Sequence, residues 1–339
     1  MSKHVVVATL ALDDAQRKLI EEELGDQAEL VPLPETMDLQ SRERMLRSAA
    51  ALISRNIGKE LGEAELAMIS QVKLVQFVTS GVDFMPLACL PPNVPIASNR
   101  GAYAQPMAEH AMALALAASK RLLTEHACLT KGEFNMFEAN RLLAGSVCGI
   151  FGFGGIGQAI APLARAFGMK VHAINRRGHA DVPVDWIATP QALDELLRAS
   201  DVLVLCSPLT ERTRGLIGKR ELDLMKDAAI LVNVARADIV DEAALYERLK
   251  ASPRFWACID AWWIEPGRHG RFATTTPLLT LPNVIGSPHN SASVPGAWAA
   301  ALKEAARNVR RALEGNMPAR LVPEEERAYS NNLRGGGVN

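Results

Sequence analysis

The chain has 339 residues, 48% of them hydrophobic and 22% charged, with a formal net charge of −1. That length and apolar content suffice for two domains with real cores and exclude a disordered chain. Lys and Arg are spread along the sequence, so neither nucleic acid nor an anionic membrane is expected as the main partner, although a small anionic ligand needs only a few local cations.

The opening segment "MSKHVVVATLALDD" runs from a short apolar stretch straight into acidic residues and lacks a cleavage pattern, so no signal peptide is expected. No run approaches the roughly 18 apolar residues of a transmembrane helix. "HVVVATL" reads as a strand and residues 12–24 as a helix. "AALIS" and "LVQFVTS" read as strands, "SGVD" as a turn and "PNVPIAS" as an extended segment. This is the alternation of a parallel sheet with helices on its faces. Residues 107–130 read as one long helix, apolar all round, hence buried on more than one side, between domains or in a subunit interface.

From residue 146 the rhythm is regular. "SVCGIFGFGGIG" is a strand and glycine turn, "QAIAPLARAFG" a helix, "KVHAI" a strand, "QALDELLRAS" a helix and "DVLVLCSPL" a strand. "AAILVNVAR" is a strand and "DEAALYERLK" a helix with Asp241 as its N-cap. "FWACIDAWW" and "NVIGSPH" read as strands and residues 297–314 as an amphipathic helix. The tail "PEEERAYSNNLRGGGVN" is polar and Gly-rich and is expected to be loose. The cysteines at 89, 128, 148, 206 and 258 are odd in number and lack zinc or redox spacing. A reduced, cytoplasmic protein without a metal site is expected.

Gly152, Gly154 and Gly157 form G-x-G-x-x-G after a strand and at the start of a helix. In that context, with Gly155 and Ile156, the turn lets a pyrophosphate approach backbone N–H groups; the plain alternative is a tight βα turn. An acid is expected at the end of the next strand, roughly 20 residues on, to bond the ribose of NAD. Here that position reads Asn175, followed by Arg176 and Arg177. Two guanidinium groups suit a ribose phosphate, so NADP(H) is expected over NAD(H), the alternative being that both arginines are solvated loop charges.

Arg236, Glu265 and His289 each follow an apolar strand-like run. In an open parallel sheet, ligands sit outside such strand ends, where residues distant in sequence converge. His289 suits a proton donor to a carbonyl oxygen, and Glu265 a partner that holds the ring and favours the imidazolium. Arg236 suits binding of a neighbouring carboxylate and of charge developing on oxygen. Singly, each is as easily a structural His or a surface ion pair.

These segments carry a resemblance over nearly the whole chain. "TSGVD", "MAEHAMALALA", "GIFGFGGIGQAIA", "CSPLTERTRGLI", "LVNVARADIVDEAAL", "DAWWIEP" and "SPHNSA" together resemble the D-isomer-specific 2-hydroxyacid dehydrogenases. The resemblance implies two doubly wound parallel-sheet α/β domains. A flavodoxin-like substrate domain would comprise 1–99 and 291–339, with a Rossmann cofactor domain, 100–290, inserted. It implies that Ser80, Gly81 and Val82 form the loop holding the substrate carboxylate, beside Arg236 and His289. It implies that Ser207, Pro208, Thr213, Val234, Ala235 and Asp260 line the nicotinamide side of the cofactor, and that the chain forms a homodimer through the cofactor domains. The implied reaction is reduction of a small 2-oxo acid, of the glyoxylate or hydroxypyruvate kind, to a D-2-hydroxy acid.

There are departures. The family's Arg-Gly is here Arg236-Ala237-Asp238, close to the active Arg. Trp262 and Trp263 stand where one aromatic is usual, to wall a pocket or, as favoured here, to pack the loop. Arg268, His269 and Arg271 follow Glu265; a doubly anionic substrate could use them, and a solvated loop is the favoured reading. Glu265, where formate dehydrogenases carry Gln, points away from formate. Phosphite oxidoreductases carry a Lys in the carboxylate loop, and here that loop reads Thr79-Ser80-Gly81. Other readings are such a phosphite enzyme and a nucleotide-sensing corepressor-like binding protein, which would need a partner-binding surface or tails.

Overall fold

Short, fully buried apolar strands dominate the computed structural model, which describes residues 3–332. The chain divides into two compact units, 1–103 with 295–339, and 104–294. In the first, β1 (His4–Ala8), β2 (Ala28–Pro32), β3 (Ala51–Ser54), β4 (Val75–Phe77) and β5 (Ile96–Ala97) form one sheet in the order β2-β1-β3-β4-β5. Every pairing is parallel. Parallel strands need crossovers, which lay helices over both faces, so both faces of a strand are apolar. On β1, Val6 and Ala8 join one core with Ile20 and Leu24 of the helix Asp14–Leu24 and with Ala301, Leu302 and Ala305 of the helix Ala297–Leu313. Val7 points to the opposite core, with Leu52, Val75 and Phe77.

In the second unit, β6 (Val147–Phe151), β7 (Lys170–Ile174), β8 (Trp186–Ala188), β9 (Val202–Leu205), β10 (Ile230–Asn233), β11 (Trp256–Ile259) and β12 (Val284–Gly286) form a parallel sheet in the order β12-β11-β10-β9-β6-β7-β8. Strand order reverses between β6 and β9, which opens a crevice at their carboxyl ends. The order in each unit is that of a doubly wound fold, flavodoxin-like in the first and Rossmann in the second. Ala108, Ala111, Ala115 and Ala118 of the helix Ala104–Ser119 are buried in the core of this unit with Ile160, Ala161 and Ala164 of the helix Gly155–Ala166. Asp241 caps the helix Glu242–Ala251 by accepting from Ala244 N, as its sequence position predicts.

Two expectations need correction. Residues 107–130 are two helices, Ala104–Ser119 and Leu122–Thr130. Arg121 takes a left-handed conformation between them (φ 51°), and the Ser119 carbonyl accepts from Arg141 N in place of a continuing helical turn. The second helix buries no residue: Leu122, Leu123 and Leu129 are exposed. The tail is not loose over its first part. Residues Glu324–Asn332 form a helix, Tyr329 is fully buried, and the buried Glu326 pairs with Arg100 at 2.7 Å. Arg327 donates to the carbonyls of Leu90, Pro91, Pro92 and Val94. Residues 333–339 of that tail lie outside the described residues. Strands β2 and β8 are additional to those read from the pattern.

Candidate active site

The glycine turn is built by steric need. At Gly152 (φ +105°) a Cβ would lie 2.5 Å from Ser207 N and 2.7 Å from the Cys206 carbonyl carbon. At Gly157 it would lie 2.8 Å from Gly152 O and 2.9 Å from Ile150 Cγ2. These two glycines let the helix Gly155–Ala166 close onto β6 and the end of β9. A Cβ on Gly154 would meet nothing within 4 Å, so the turn is open on that side. No side chain caps the helix start, and the first-turn N–H groups of Gly155, Ile156 and Gly157 have no acceptor four residues back in the helix. Ser207 Oγ is buried without a hydrogen-bond partner among the described residues. An open glycine turn, uncapped amides and an orphaned buried hydroxyl fit a dinucleotide, which supplies phosphate and ribose acceptors.

After β7 the chain turns on Asn175. Its Oδ1 accepts from Arg177 N (2.9 Å) and Gly178 N (2.8 Å), and its Nδ2 donates to His179 O. The Asn175 side chain is thus engaged in its own turn, and Arg176 and Arg177 stand exposed at the strand end. Thr213 Oγ1 accepts from Thr210 N and donates to Pro208 O, which folds the segment after β9 on itself. Beyond β10, Val234 N donates to Leu205 O and Ala235 N to Asn233 Oδ1.

The three polar residues at the strand ends converge. His289 Nδ1 lies 2.8 Å and 3.0 Å from the two Glu265 carboxylate oxygens. Glu265 Oε1 also accepts from Trp262 N at 2.7 Å. Burial pushes the Glu265 carboxyl up, but the hydrogen bonds from His289 and Trp262 N and the charges of His289 and Arg236 outweigh it, leaving it below its ordinary value. Arg236 follows β10 by three residues; its carbonyl accepts from Asn233 Nδ2 (2.9 Å), and its Nη1 donates to Ala235 O. Asn233, buried, therefore fixes the backbone before and at Arg236, a role no motif signalled.

His289 has φ 52°, a left-handed conformation rare for a non-glycine residue. Asp260, fully buried at the end of β11, holds the surrounding segment. Its Oδ1 accepts from Ser287 Oγ (2.6 Å) and Asn290 N (3.1 Å), and its Oδ2 from Ser291 N (3.3 Å). Burial raises the Asp260 carboxyl, but the hydrogen bonds from Ser287 and Ser291 and the charges of His110 and His289 bring it below its ordinary value.

The departures from the family pattern have partners. Asp238 pairs with Arg214 (3.1 Å) and Arg268 (3.6 Å). His269 Nδ1 accepts from Glu265 N at 3.1 Å, so Arg268 and His269 are tied into the structure and are not merely solvated. Trp262 is buried, donates to Ser287 O and meets Phe272 edge-on; Trp263 donates to Val240 O. Both indoles pack the loop. In the other unit, the N–H groups of Ser80, Gly81 and Val82 enter no backbone–backbone hydrogen bond among the described residues, and Ser80 Oγ donates to Asn99 O.

Strand order, glycine turn and strand-end trio define a dinucleotide-binding α/β protein. The chain belongs to the D-isomer specific 2-hydroxyacid dehydrogenase family, whose NAD binding domain matches residues 112–291. It is 30% identical to a glyoxylate reductase of Aeropyrum pernix over 77% of this chain and 79% of that one. It is 36% identical to a hydroxypyruvate reductase of Thermotoga maritima over 59% of this chain and 64% of that one. Among solved structures, a glycerate dehydrogenase related protein from Thermoplasma acidophilum matches with a TM-score of 0.62 and 33% identity, covering 91% of this chain and 99% of that one. The chain spans 40%, 64% and 66% of the length of three curated relatives it matches.

The Glu265 pairing has a pH signature. A carboxyl whose folded pKa lies below its unfolded value stabilises fully above the ordinary carboxylate range, about pH 4.3, and less as pH falls through the depressed value. Glu265→Gln is expected to be less stable than wild type by about 2 kcal/mol at pH 7, the scale of a hydrogen bond to a charged group. Urea denaturation should show the gap narrowing below pH 4; a gap constant from pH 7 to 3 would contradict the pairing.

Proposed function

We infer that this protein reduces a small 2-oxo acid, of the glyoxylate or hydroxypyruvate kind, to a D-2-hydroxy acid with NADP(H) in preference to NAD(H). The observation that carries this reading is the His289–Glu265 pair at the carboxyl edge of a sheet that also bears an open glycine turn. A bound dihydronicotinamide nucleotide would supply the hydride. Glu265 holds Nδ1 of the ring, which leaves Nε2 to give a proton to the substrate oxygen and to take it back in the reverse direction. Arg236, on a backbone fixed by Asn233, offers a planar fork to the substrate carboxylate and to charge developing on the carbonyl oxygen. By the family resemblance, the amides of Ser80, Gly81 and Val82 are proposed to bind a substrate carboxylate. Asp260 serves the nicotinamide side through the segment it holds. Family membership and the names of the relatives support the reaction class. The cofactor preference rests on Arg176 and Arg177, exposed where a ribose-binding acid is lacking.

NADPH and NADH oxidation with glyoxylate or hydroxypyruvate, and NADP+ and NAD+ reduction with phosphite, test the reading. NADPH with a 2-oxo acid should be the fastest pair; turnover only with phosphite and oxidised nucleotide, or none with any acid, would overturn it. His289→Gln should lower kcat by about a hundredfold or more without weakening nucleotide binding. Arg176→Ala with Arg177→Ala should weaken NADPH about tenfold and leave NADH unchanged; equal losses would make them ordinary surface charges.

Seven large apolar side chains, Leu122, Leu123, Leu129, Phe134, Met136, Phe137 and Leu142, are exposed within one short stretch of the cofactor unit. Large apolar side chains exposed so close together in sequence favour an interface, and a second copy of this chain is the proposed occupant. Sedimentation should give a dimer, and Phe137→Asp a monomer; a wild-type monomer would overturn the assignment.

A further inference from the structure

The left-handed backbone of His289 costs free energy and persists only where its surroundings over-determine it. The restraints on 287–291 are specific. The Asp260 carboxylate accepts from Asn290 N and Ser291 N, and Trp262 Nε1 donates to Ser287 O. A further restraint runs through the Ser287 side chain to a residue nearly 180 positions away. Ser287 Oγ donates to Asp260 Oδ1 at 2.6 Å, and His110 Nε2 lies 2.9 Å from the same Oγ. A hydroxyl has one proton. With that proton committed to the carboxylate, Oγ can only accept from His110, so the ring carries hydrogen on Nε2. His110 stands on the helix Ala104–Ser119, whose alanine face is sunk in the core, which makes it a rigid support.

On the reading of His289 as proton donor, we propose that His110 is a positioning residue for the reaction: by donating to Ser287 Oγ it aims that hydroxyl at Asp260 and locks the segment that presents His289. His110 does not touch the substrate in this scheme. Its influence passes through Ser287, so the two side chains act as one unit. Removing either frees the hydroxyl or deletes it, and the His289 ring loses its fixed bearing toward the substrate oxygen. Misplacement of a reacting group by about 1 Å costs on the order of a hundredfold in rate.

Five proteins test this: wild type, His110→Leu, His110→Gln, Ser287→Ala and the double variant His110→Leu/Ser287→Ala, which closes a cycle. His110→Leu should lower kcat about tenfold or more while KM for the 2-oxo acid and the affinity for the nucleotide stay within about twofold. His110→Gln, which restores an N–H at similar reach, should recover most of kcat. In the Ser287→Ala background His110→Leu should cause no further loss. Additive losses, a fall in nucleotide affinity equal to the fall in kcat, or no recovery with Gln would overturn the relay. The imidazole nitrogen resonances of His289 give a readout that needs no turnover: they should shift or broaden in His110→Leu and return in His110→Gln. Wild type that reduces no 2-oxo acid would refute the functional reading while these resonances still decide the relay. Should His110→Leu fail to fold, Ser287→Ala and His110→Gln carry the same comparison.

Discussion

The buried carboxylate of Asp260 is the interaction on which the site depends. An ionised side chain with no exposure to water is tolerated only when its lone pairs are filled, and here they are filled by one hydroxyl and two backbone amides of a single segment. Those same bonds bend 287–291 into the conformation that turns His289 toward Glu265. Burial and geometry are therefore two aspects of one arrangement. The cost of burying the charge is offset by bonds whose product is a strained, fixed histidine.

The parallel sheet supplies the platform. Because every strand of the second unit runs the same way, the ends of β6, β7, β9, β10, β11 and β12 deliver the glycine turn, the Asn175 turn, the Ser207 segment, Arg236, Asp260 with Glu265, and His289 to one edge. Close packing then does the fine work. Gly152 and Gly157 remove the atoms that would separate helix from sheet. Gly286 leaves room for the Trp262 ring, which a Cβ there would meet at 2.7 Å. The indole, so seated, reaches the carbonyl of Ser287 and steadies the residue next to the loop.

Much of this was legible in sequence because it is local. Glycine spacing after an apolar run, the rhythm of strands and helices, and polar residues just past strand ends are short-range patterns. What was not legible depends on tertiary partners. Nothing in "ASKRLL" says that Arg141 will cap the Ser119 carbonyl and end the helix there. The polar "PEEERAYSNN" reads as a tail until Arg100 and a pocket for Tyr329 are supplied by the rest of its unit. Asn233, His110 and Trp262 look like ordinary members of a strand end, an apolar helix and an aromatic pair. The parts given to them here rest on hydrogen bonds to groups distant in sequence or hidden in the turn. Asn175 shows the converse: its position in the pattern suggested a ligand contact, and its amide is engaged in shaping the turn that presents the arginines.

The pairing of Glu265 with His289 is the part of the proposed mechanism closest to the chemistry. The turnover of a 2-oxo acid by wild type and Glu265→Ala, with nucleotide affinity measured beside it, tests it most directly. Loss of the carboxylate leaves Nδ1 of the His289 ring without the acceptor that holds it, so kcat should fall about tenfold or more with nucleotide affinity unchanged. Equal kcat in the two proteins would mean that the carboxylate does not hold His289 for its reaction.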